Sequence, residues 1–386
     1  MVQGQRERFQ LPEGLHYLNC AYMSPLATSV EEAVLGGLRQ KRDPSGIGSQ
    51  HFFEPADRVR ARFARLINAS PERVAILPAV SYGVAIAARN LPVEAGQSIV
   101  VLGEQFPGNV HAWVRRAREV DAHIVRVPRP QSQQPGAEWN AAILEAITPS
   151  TAVVALPPVH WTDGTRFDLL TISQRCRETG AALVVDGTQS VGALDFDVEQ
   201  VQPDALTTAT YKWLMGPYGV ALGWFGPRFD DGIPLEEGWI NRAGSEDFGG
   251  LVDYAETYQP GALRYDVGER SNFALLPGVS AGLDLIDEWT PAGICDHITG
   301  LIEPVLPELE ALGFQLESPE WRAPHMFGLK APSGSSLDTL QDELSRRQVS
   351  VSRRGASIRI SPHVYNDETD IAVLLEALRS TVAPIR

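Results

Sequence analysis

The sequence has few cysteines, and they are too far apart to form a recognisable motif. The 386 residues include three, Cys20, Cys176 and Cys295, with no C-x-x-C or similar pair. A disulfide framework or a cysteine-ligated zinc site is therefore not expected, and we predict no bound metal. Sparse, unpaired cysteines are compatible with a reducing compartment, so we expect the protein in the cytoplasm.

Basic residues are also scarce relative to acidic ones. The chain has 33 Lys and Arg against 48 Asp and Glu, which gives a formal net charge of -15. A chain this acidic repels nucleic-acid phosphates and anionic lipid surfaces, so neither is an expected partner. A small anionic ligand remains compatible with the composition, because a few local donors can outweigh the global field.

Long apolar runs are missing as well. No run approaches the roughly 18 to 20 residues that a membrane-spanning helix needs. The first segment, MVQGQRERFQ, is polar and lacks the apolar centre of a secretory signal. We therefore expect neither a membrane span nor a secretion signal.

The sequence up to about residue 275 alternates short β-rich runs with helical patterns. Strands are predicted at 73–80, 98–106, 151–159, 181–189, 204–212 and 219–226. Helices are predicted at 80–91, 109–120 and 168–180. This alternation favours an α/β fold in which helices cover both faces of a mostly parallel sheet. In such sheets ligands bind at the carboxyl ends of the strands.

The pattern changes after about residue 275, where a smaller α+β domain is predicted. Its helices are expected at 277–289, 299–313, 339–348 and 370–380, with a strand at 325–331 and a strand pair at 350–361. A chain of this length usually forms more than one domain. We predict an N-terminal segment of residues 1–20, a large domain of residues 21–275 and a small domain of residues 276–386.

One lysine and one aspartate follow two successive predicted strands. Lys212 lies in the weakly polar run TTATYKWLMGPYGVALGWF, and Asp186 ends the apolar strand of VVDGTQS. The lysine is either a snorkelling surface residue or an amine kept for its chemistry. The aspartate is either a turn or N-cap residue or the counter-ion of a buried cation. A pyridoxal phosphate site needs a lysine for the Schiff base, an acid for the ring nitrogen and donors for the phosphate.

The motif D-G-x-Q, followed by a lysine one strand later, resembles the class V aminotransferase superfamily. This fold-type-I branch of pyridoxal phosphate enzymes includes cysteine desulfurases, kynureninases and isopenicillin N epimerase. The resemblance extends from LNCAYMSPL (18–26) to IRISPHVYND (358–367). It implies a large domain with a mostly parallel sheet covered by helices, a smaller α+β C-terminal domain and pyridoxal 5'-phosphate as cofactor. It makes Lys212 and Asp186 the catalytic pair.

The resemblance also implies a phosphate-binding region. Val80 and Ser81, in LPAVSYG, match the strand-to-helix turn whose N–H groups cradle the phosphate. Tyr211, just before the lysine, matches a further phosphate ligand. Trp239 and Asn272 match segments that reach the cofactor phosphate of a neighbouring subunit. We therefore expect a homodimer with shared active sites.

Three positions match residues around the cofactor ring. Phe106, in EQFPGNVHAW, matches the aromatic residue that stacks on the ring, and Gln189 matches the hydrogen-bond donor to its phenolic oxygen. Trp161 falls where relatives place a residue beside the cofactor. Viewed alone, Phe106 would be interpreted as a core residue.

The substrate carboxylate is expected to meet an arginine. Arg359, in SIRISPH, matches the residue that receives the α-carboxylate, and its planar guanidinium suits that group. Arg353 and Arg354 lie nearby and compete for this role, with Arg354 the second substrate-binding candidate. His16 and Tyr22 are further candidates for the wall of the substrate pocket.

The reaction is less determined than the cofactor. An aminotransferase acting at the α-carbon of a small amino acid is the first expectation. A β-lyase of the cysteine desulfurase, selenocysteine lyase or kynureninase type and an amino-acid epimerase are alternatives, since the fold does not choose among them. A non-catalytic cofactor-binding or regulatory protein is the alternative from another class. Phe106 and the absence of cysteine from 346–361 oppose a persulfide-forming desulfurase, for which Cys20 is the one serious nucleophile candidate.

Overall fold

The computed structural model describes residues 2, 4–332 and 334–382 and contains strands in both halves of the chain. The strands are β1 (His16–Tyr17), β2 (Val74–Leu77), β3 (Ser98–Leu102), β4 (His123–Val127), β5 (Thr151–Leu156), β6 (Ala182–Asp186), β7 (Ala205–Ala209), β8 (Ala221–Phe225), β9 (Phe327–Lys330), β10 (Val349–Ser350), β11 (Ser352–Arg354) and β12 (Ser357–Ile360).

Helices surround these strands. They are α1 (Thr28–Gln40), α2 (Gln50–Leu66), α3 (Val80–Asn90), α4 (His111–Glu119), α5 (Gly136–Ala146), α6 (Leu169–Thr179), α7 (Val198–Val201), α8 (Leu275–Trp289), α9 (Pro291–Ile302), α10 (Leu306–Ala311), α11 (Leu337–Arg346) and α12 (Glu368–Thr381). None of the helices in the described ranges combines the length and apolar character of a membrane-spanning helix.

The predicted mostly parallel sheet is confirmed. Seven strands lie in the order β2-β8-β7-β6-β5-β3-β4, and only β8 runs antiparallel to its neighbours. Alternate residues of β3 face different cores: Val100 and Leu102 pack with α2 and α5, whereas Ile99 and Val101 pack with α3 and α4. Because helices cover both faces, the strands read as continuous apolar runs, which made them recognisable in the sequence.

Several elements differ from the sequence-based expectation, which did not include β1, α1, α2 or α5. The edge strand β4 was not predicted, because its sequence HIVRV is partly polar and lies half-exposed at the end of the sheet. The single helix expected at 299–313 is wrong: α9 and α10 are separate, with a short 3-10 turn between them. Pro304 and Pro307 lie at this break, and proline lacks the N–H that an unbroken helix requires.

The N-terminal segment packs against the C-terminal part of the chain. β1 pairs in parallel with β10, and Leu18 shares a buried core with Ile358 and Ile360. The helix α8 contributes its first half to the core beneath the central sheet and its second half to this C-terminal core. A three-stranded antiparallel sheet, β11-β12-β9, completes the second unit. The domain boundaries at 20/21 and 275/276 stay a prediction.

Candidate active site

A cavity of about 220 Å³ lies where β6 and β7 end. Parallel strands bring their carboxyl ends to one edge of the sheet, which is where such folds bind ligands. The cavity brings together eight positions predicted from the sequence. These are Val80, Ser81, Phe106, Trp161, Asp186, Gln189, Tyr211 and Lys212.

The amine of Lys212 is buried in this cavity. The residue is only 8% exposed, and loss of hydration lowers its pKa to about 8. The Arg359 guanidinium contributes to this lowering, whereas the Asp186 carboxylate opposes it. The snorkelling interpretation of Lys212 is therefore not supported. A lysine with a lowered pKa carries a substantial fraction of neutral, nucleophilic amine near neutral pH.

Asp186 is a second buried ionisable group. Burial raises the pKa of its carboxyl, while a hydrogen bond from Thr188 and the charge of Lys212 act in the opposite direction. The Thr188 N–H donates to Oδ1 at 3.1 Å, so Asp186 does cap the short turn that follows β6. This capping role leaves Oδ2 for a cation, so the two interpretations of Asp186 are compatible.

Gln189 is held in one orientation. Its Oε1 accepts a hydrogen bond from Trp213 Nε1 at 2.9 Å, and its Nε2 donates to the Ala21 carbonyl at 3.0 Å. The carboxamide NH₂ has two hydrogens, so one remains for a ligand in the cavity. Because the Trp213 indole donates to Oε1, the amide nitrogen of Gln189 is fixed as the group that can donate to a ligand in the cavity. Neither Trp213 nor Ala21 was identified from the sequence, since both contacts join distant segments.

The first turn of α3 forms one end of the cavity. The helix begins at Val80, with Ala79 as its N-cap, and Ser81 lies in its first turn. Free backbone N–H groups and the positive helix end make this a favourable place for an anion. Asn109 adds a buried Nδ2 that has no hydrogen-bond partner among the described residues. Asn109 was not identified from the sequence, and the one signal that could have pointed to it is its position three residues after Phe106.

Two aromatic residues form a wall of the cavity. The rings of Phe106 and Trp161 meet edge-to-face with centroids 5.5 Å apart, and Lys212 Nζ lies 5.9 Å from the Phe106 centroid. Phe106 is 47% exposed, so it is not a core residue. Trp161 is fixed by a hydrogen bond of 2.7 Å from its Nε1 to the Glu104 carbonyl. A second ring pair, Tyr211 and Tyr218, also lines the cavity, with centroids 4.5 Å apart and the ring planes tilted by 52°.

Arg359 and Arg354 approach this wall from the C-terminal part of the chain. Arg359 is buried, and its NH1 donates to the Trp161 carbonyl at 2.6 Å. Burial lowers its pKa to about 9. Its Nε and NH2 have no hydrogen-bond partner within the described ranges. Arg354 lies over the Trp161 ring at 5.5 Å from its centroid.

Some predicted positions lie elsewhere. Trp239 and Asn272 line a separate depression, and Asn272 Oδ1 accepts the Leu275 N–H at the start of α8. Their place at a neighbouring subunit's site stays a prediction. His16 does not line the cavity: its Nδ1 is bonded to Asp370 at 2.7 Å. The structure shows no cluster of three or more His, Cys, Asp or Glu side chains suited to a metal in residues 2, 4–332 and 334–382.

One family model and several known proteins match most of the chain. The family model described as Aminotransferase class-V matches residues 47–374. An uncharacterized aminotransferase, YcbU of Bacillus subtilis, is 26% identical over 84% of each chain. Isopenicillin N epimerase of Streptomyces clavuligerus is 25% identical over 83% of each chain.

A solved structure supports the fold. The cystine C-S lyase C-DES, in complex with its product cysteine persulfide, superposes with a TM-score of 0.84. The match covers 96% of this chain and 99% of that chain at 20% sequence identity. At this identity the likeness shows the arrangement of elements rather than the reaction.

In the cofactor-free protein, the Lys212 amine should react with acetic anhydride with a midpoint near pH 8, because burial favours its neutral form. The chain has only three lysines, Lys41, Lys212 and Lys330, so mass spectrometry of a digest gives each rate separately. The exposed Lys41 serves as the reference for reagent decay. Asp186→Asn should move the midpoint to lower pH, because it removes a charge that raises the Lys212 pKa. A midpoint at pH 10 or above would contradict this account.

Proposed function

The chain belongs to the aminotransferase class-V family, and from this premise we propose that it is an aminotransferase acting at the α-carbon of a small amino acid. The observation that carries the proposal is the buried Lys212 amine with its lowered pKa, in one cavity with the carboxylate of Asp186. The aminotransferase relative in Bacillus subtilis supports amino transfer over the other outcomes open to this family.

The cavity fits the family's cofactor, pyridoxal 5'-phosphate. Lys212 would supply the amine for its covalent attachment, and the buried Asp186 would supply an acid for the ring nitrogen. The free N–H groups of the first turn of α3, with Ser81 and the unpartnered Asn109 Nδ2, are donors for an anionic group. When bound, the cofactor withdraws electrons from the substrate α-carbon and so makes its hydrogen acidic.

The residues of the chain then have distinct tasks. Lys212, as a free amine, would remove the proton from the substrate α-carbon, a task for which a pKa near 8 is well placed. Asp186 would pair with the ring nitrogen and so favour its protonated form in a buried site. Arg359 presents its Nε and NH2 edge to the α-carboxylate. Phe106 and Trp161 limit the access of water to the cavity.

The test of this proposal is a screen of amino acids with the purified holoenzyme. A keto acid together with an aminated acceptor is expected and indicates aminotransfer. Keto acid with free ammonia would indicate a lyase, and an inverted amino acid would indicate an epimerase.

Borohydride reduction should fix the cofactor to the Lys212 peptide. Lys212→Ala should abolish turnover, and Asp186→Ala should lower it by at least ~100-fold, since losing the partner of a buried charge costs about 3–5 kcal/mol. Label on Lys41 or Lys330 would contradict the site.

We further propose a homodimer, supported by an exposed aromatic surface around Trp239. The Trp239 ring is 40% exposed and packs edge-to-face on Phe52 and Phe248. Sedimentation equilibrium should give twice the chain mass of 42.1 kDa. Trp239→Ala should weaken the dimer and the retention of cofactor. Leu170→Ala, which removes another exposed large side chain, should change neither. A fully active monomer would refute the proposal.

Cys20 is not expected to act as a persulfide-forming nucleophile. It is fully buried, and burial raises the pKa of its thiol to about 12, so little thiolate exists at neutral pH. Its Sγ lies 4.0 Å from the Lys212 carbonyl rather than in the cavity. Cys20→Ser should therefore keep most of the activity. A cyanide-labile persulfide that forms during cysteine turnover and is lost in Cys20→Ser would show that this expectation is wrong.

A further inference from the structure

Arg354 and Arg359 are diagonal neighbours on one face of a β-hairpin. In the antiparallel pair β11–β12, Arg354 lies opposite Ser357 and Arg359 lies opposite Ser352. Directly opposite residues share a face of the sheet, and side chains two positions apart share it as well. Diagonal neighbours in such a pair are about 7–8 Å apart. The two arginine side chains therefore leave the same face of the hairpin, with one residue pair between them.

Both arginines converge on Trp161. Arg359 NH1 donates to the Trp161 carbonyl, whereas the Arg354 guanidinium lies over its indole ring. Trp161 lines the cavity of Lys212 and meets Phe106 edge-to-face. Both cations therefore contact one residue of the cavity wall, although neither arginine itself lines the cavity. Their proximity is also seen electrostatically, because the charge of Arg354 lowers the pKa of both Lys212 and Arg359.

Neither cation is neutralised by the protein. In the part of the chain that the structure describes, no Asp or Glu lies within ion-pair distance of Arg354 or Arg359. Glu104 and Asp163 are close in sequence to Phe106 and Trp161, but both carboxylates form ion pairs with Arg129, at 3.0 and 2.5 Å. The neighbouring Arg353 differs from Arg354, because it pairs with Asp338 on the exposed side of the hairpin.

Donor groups of both arginines are left without partners. Arg359 Nε and NH2 form one buried, unpaired edge, whose geometry matches one carboxylate bidentately. Arg354 uses NH1 on the Arg353 carbonyl at 2.9 Å, and its buried Nε has no partner among the described residues. Arg359 is buried and Arg354 is half-buried. A charge removed from water without a counter-ion is costly, so a ligand that supplies two anions would relieve both sites.

We propose that the substrate is an amino acid whose short side chain ends in a second anionic group, a carboxylate or a sulfinate. Arg359 binds the α-carboxylate, and Arg354, over Trp161, binds the side-chain anion. This inference rests on the proposed action on amino acids, and it adds the class of substrate. It makes Arg354 a specificity-determining residue.

Pairs of amino acids that differ only in this charge provide the first test. The kcat/KM of the holoenzyme should be at least 10-fold higher for aspartate than for asparagine, or for glutamate than for glutamine. Arg354→Gln should lower the value for the acidic member by about 10- to 100-fold, the range expected for a hydrogen-bonded charge, and should leave the amide member within about 3-fold. Arg353→Gln is the matched control and should leave both values unchanged.

Two kinetic outcomes would overturn the proposal. Equal kcat/KM values for the acidic and amide members in the wild type would show that no second anion is recognised. An equal loss for both members in Arg354→Gln would assign Arg354 to the α-carboxylate instead.

Binding of unreactive acids separates this proposal from the proposed function. Isothermal titration of the holoenzyme should show that succinate binds at least 10-fold more tightly than succinamate, its singly charged analogue. Arg354→Gln should remove this difference, and Arg353→Gln should keep it. If no amino acid is turned over but succinate retains its advantage, the aminotransferase proposal fails and the dianion site stands. If succinate has no advantage, the dianion site fails whatever the reaction.

Discussion

The site depends on keeping one amine and one carboxylate out of water at the ends of two neighbouring strands. Lys212 and Asp186 attract each other, yet burial has the larger effect on both, since it lowers the pKa of the amine and raises that of the carboxyl. Each group is therefore incompletely stabilised by the other. A ligand with a carbonyl that reacts with the amine and a basic nitrogen that pairs with the carboxyl group would stabilise both groups. The other residues of the cavity surround the space between them.

The strand register fixes how these two groups meet. Asp186, the last residue of β6, pairs with Thr207 of β7, and the chain turns away from the sheet before it reaches Lys212. Thr210 holds this turn, because its Oγ1 donates towards the carbonyls of Pro217 and Val220 at 3.0 and 2.8 Å. The lysine thus lies on a segment closed back onto β8, so the position of its amine is set by the sheet rather than by a free loop.

The sequence predicted the parts of the site that are contiguous along the chain. Asp186 and Lys212 follow apolar strands, so their place at one edge of a parallel sheet could be inferred before any contact was known. The orientation of Gln189 could not be inferred, because it depends on Trp213 and on the carbonyl of Ala21, 168 residues away in sequence. Contacts of this kind follow from packing between distant segments, which no local pattern encodes.

The charge of the whole chain and the charge of the site are set by different residues. The net charge of -15 disfavours extended anionic partners. By contrast, Trp161 of the cavity wall contacts two cations, Arg354 and Arg359, that no described carboxylate neutralises. Arg129 makes this local excess possible, since it occupies the two acids of the Trp161 wall and stacks on Trp139 at 4.5 Å. Low-dielectric walls focus such a field within a cleft. A small anion can therefore be attracted into the site of a protein whose surface repels large ones.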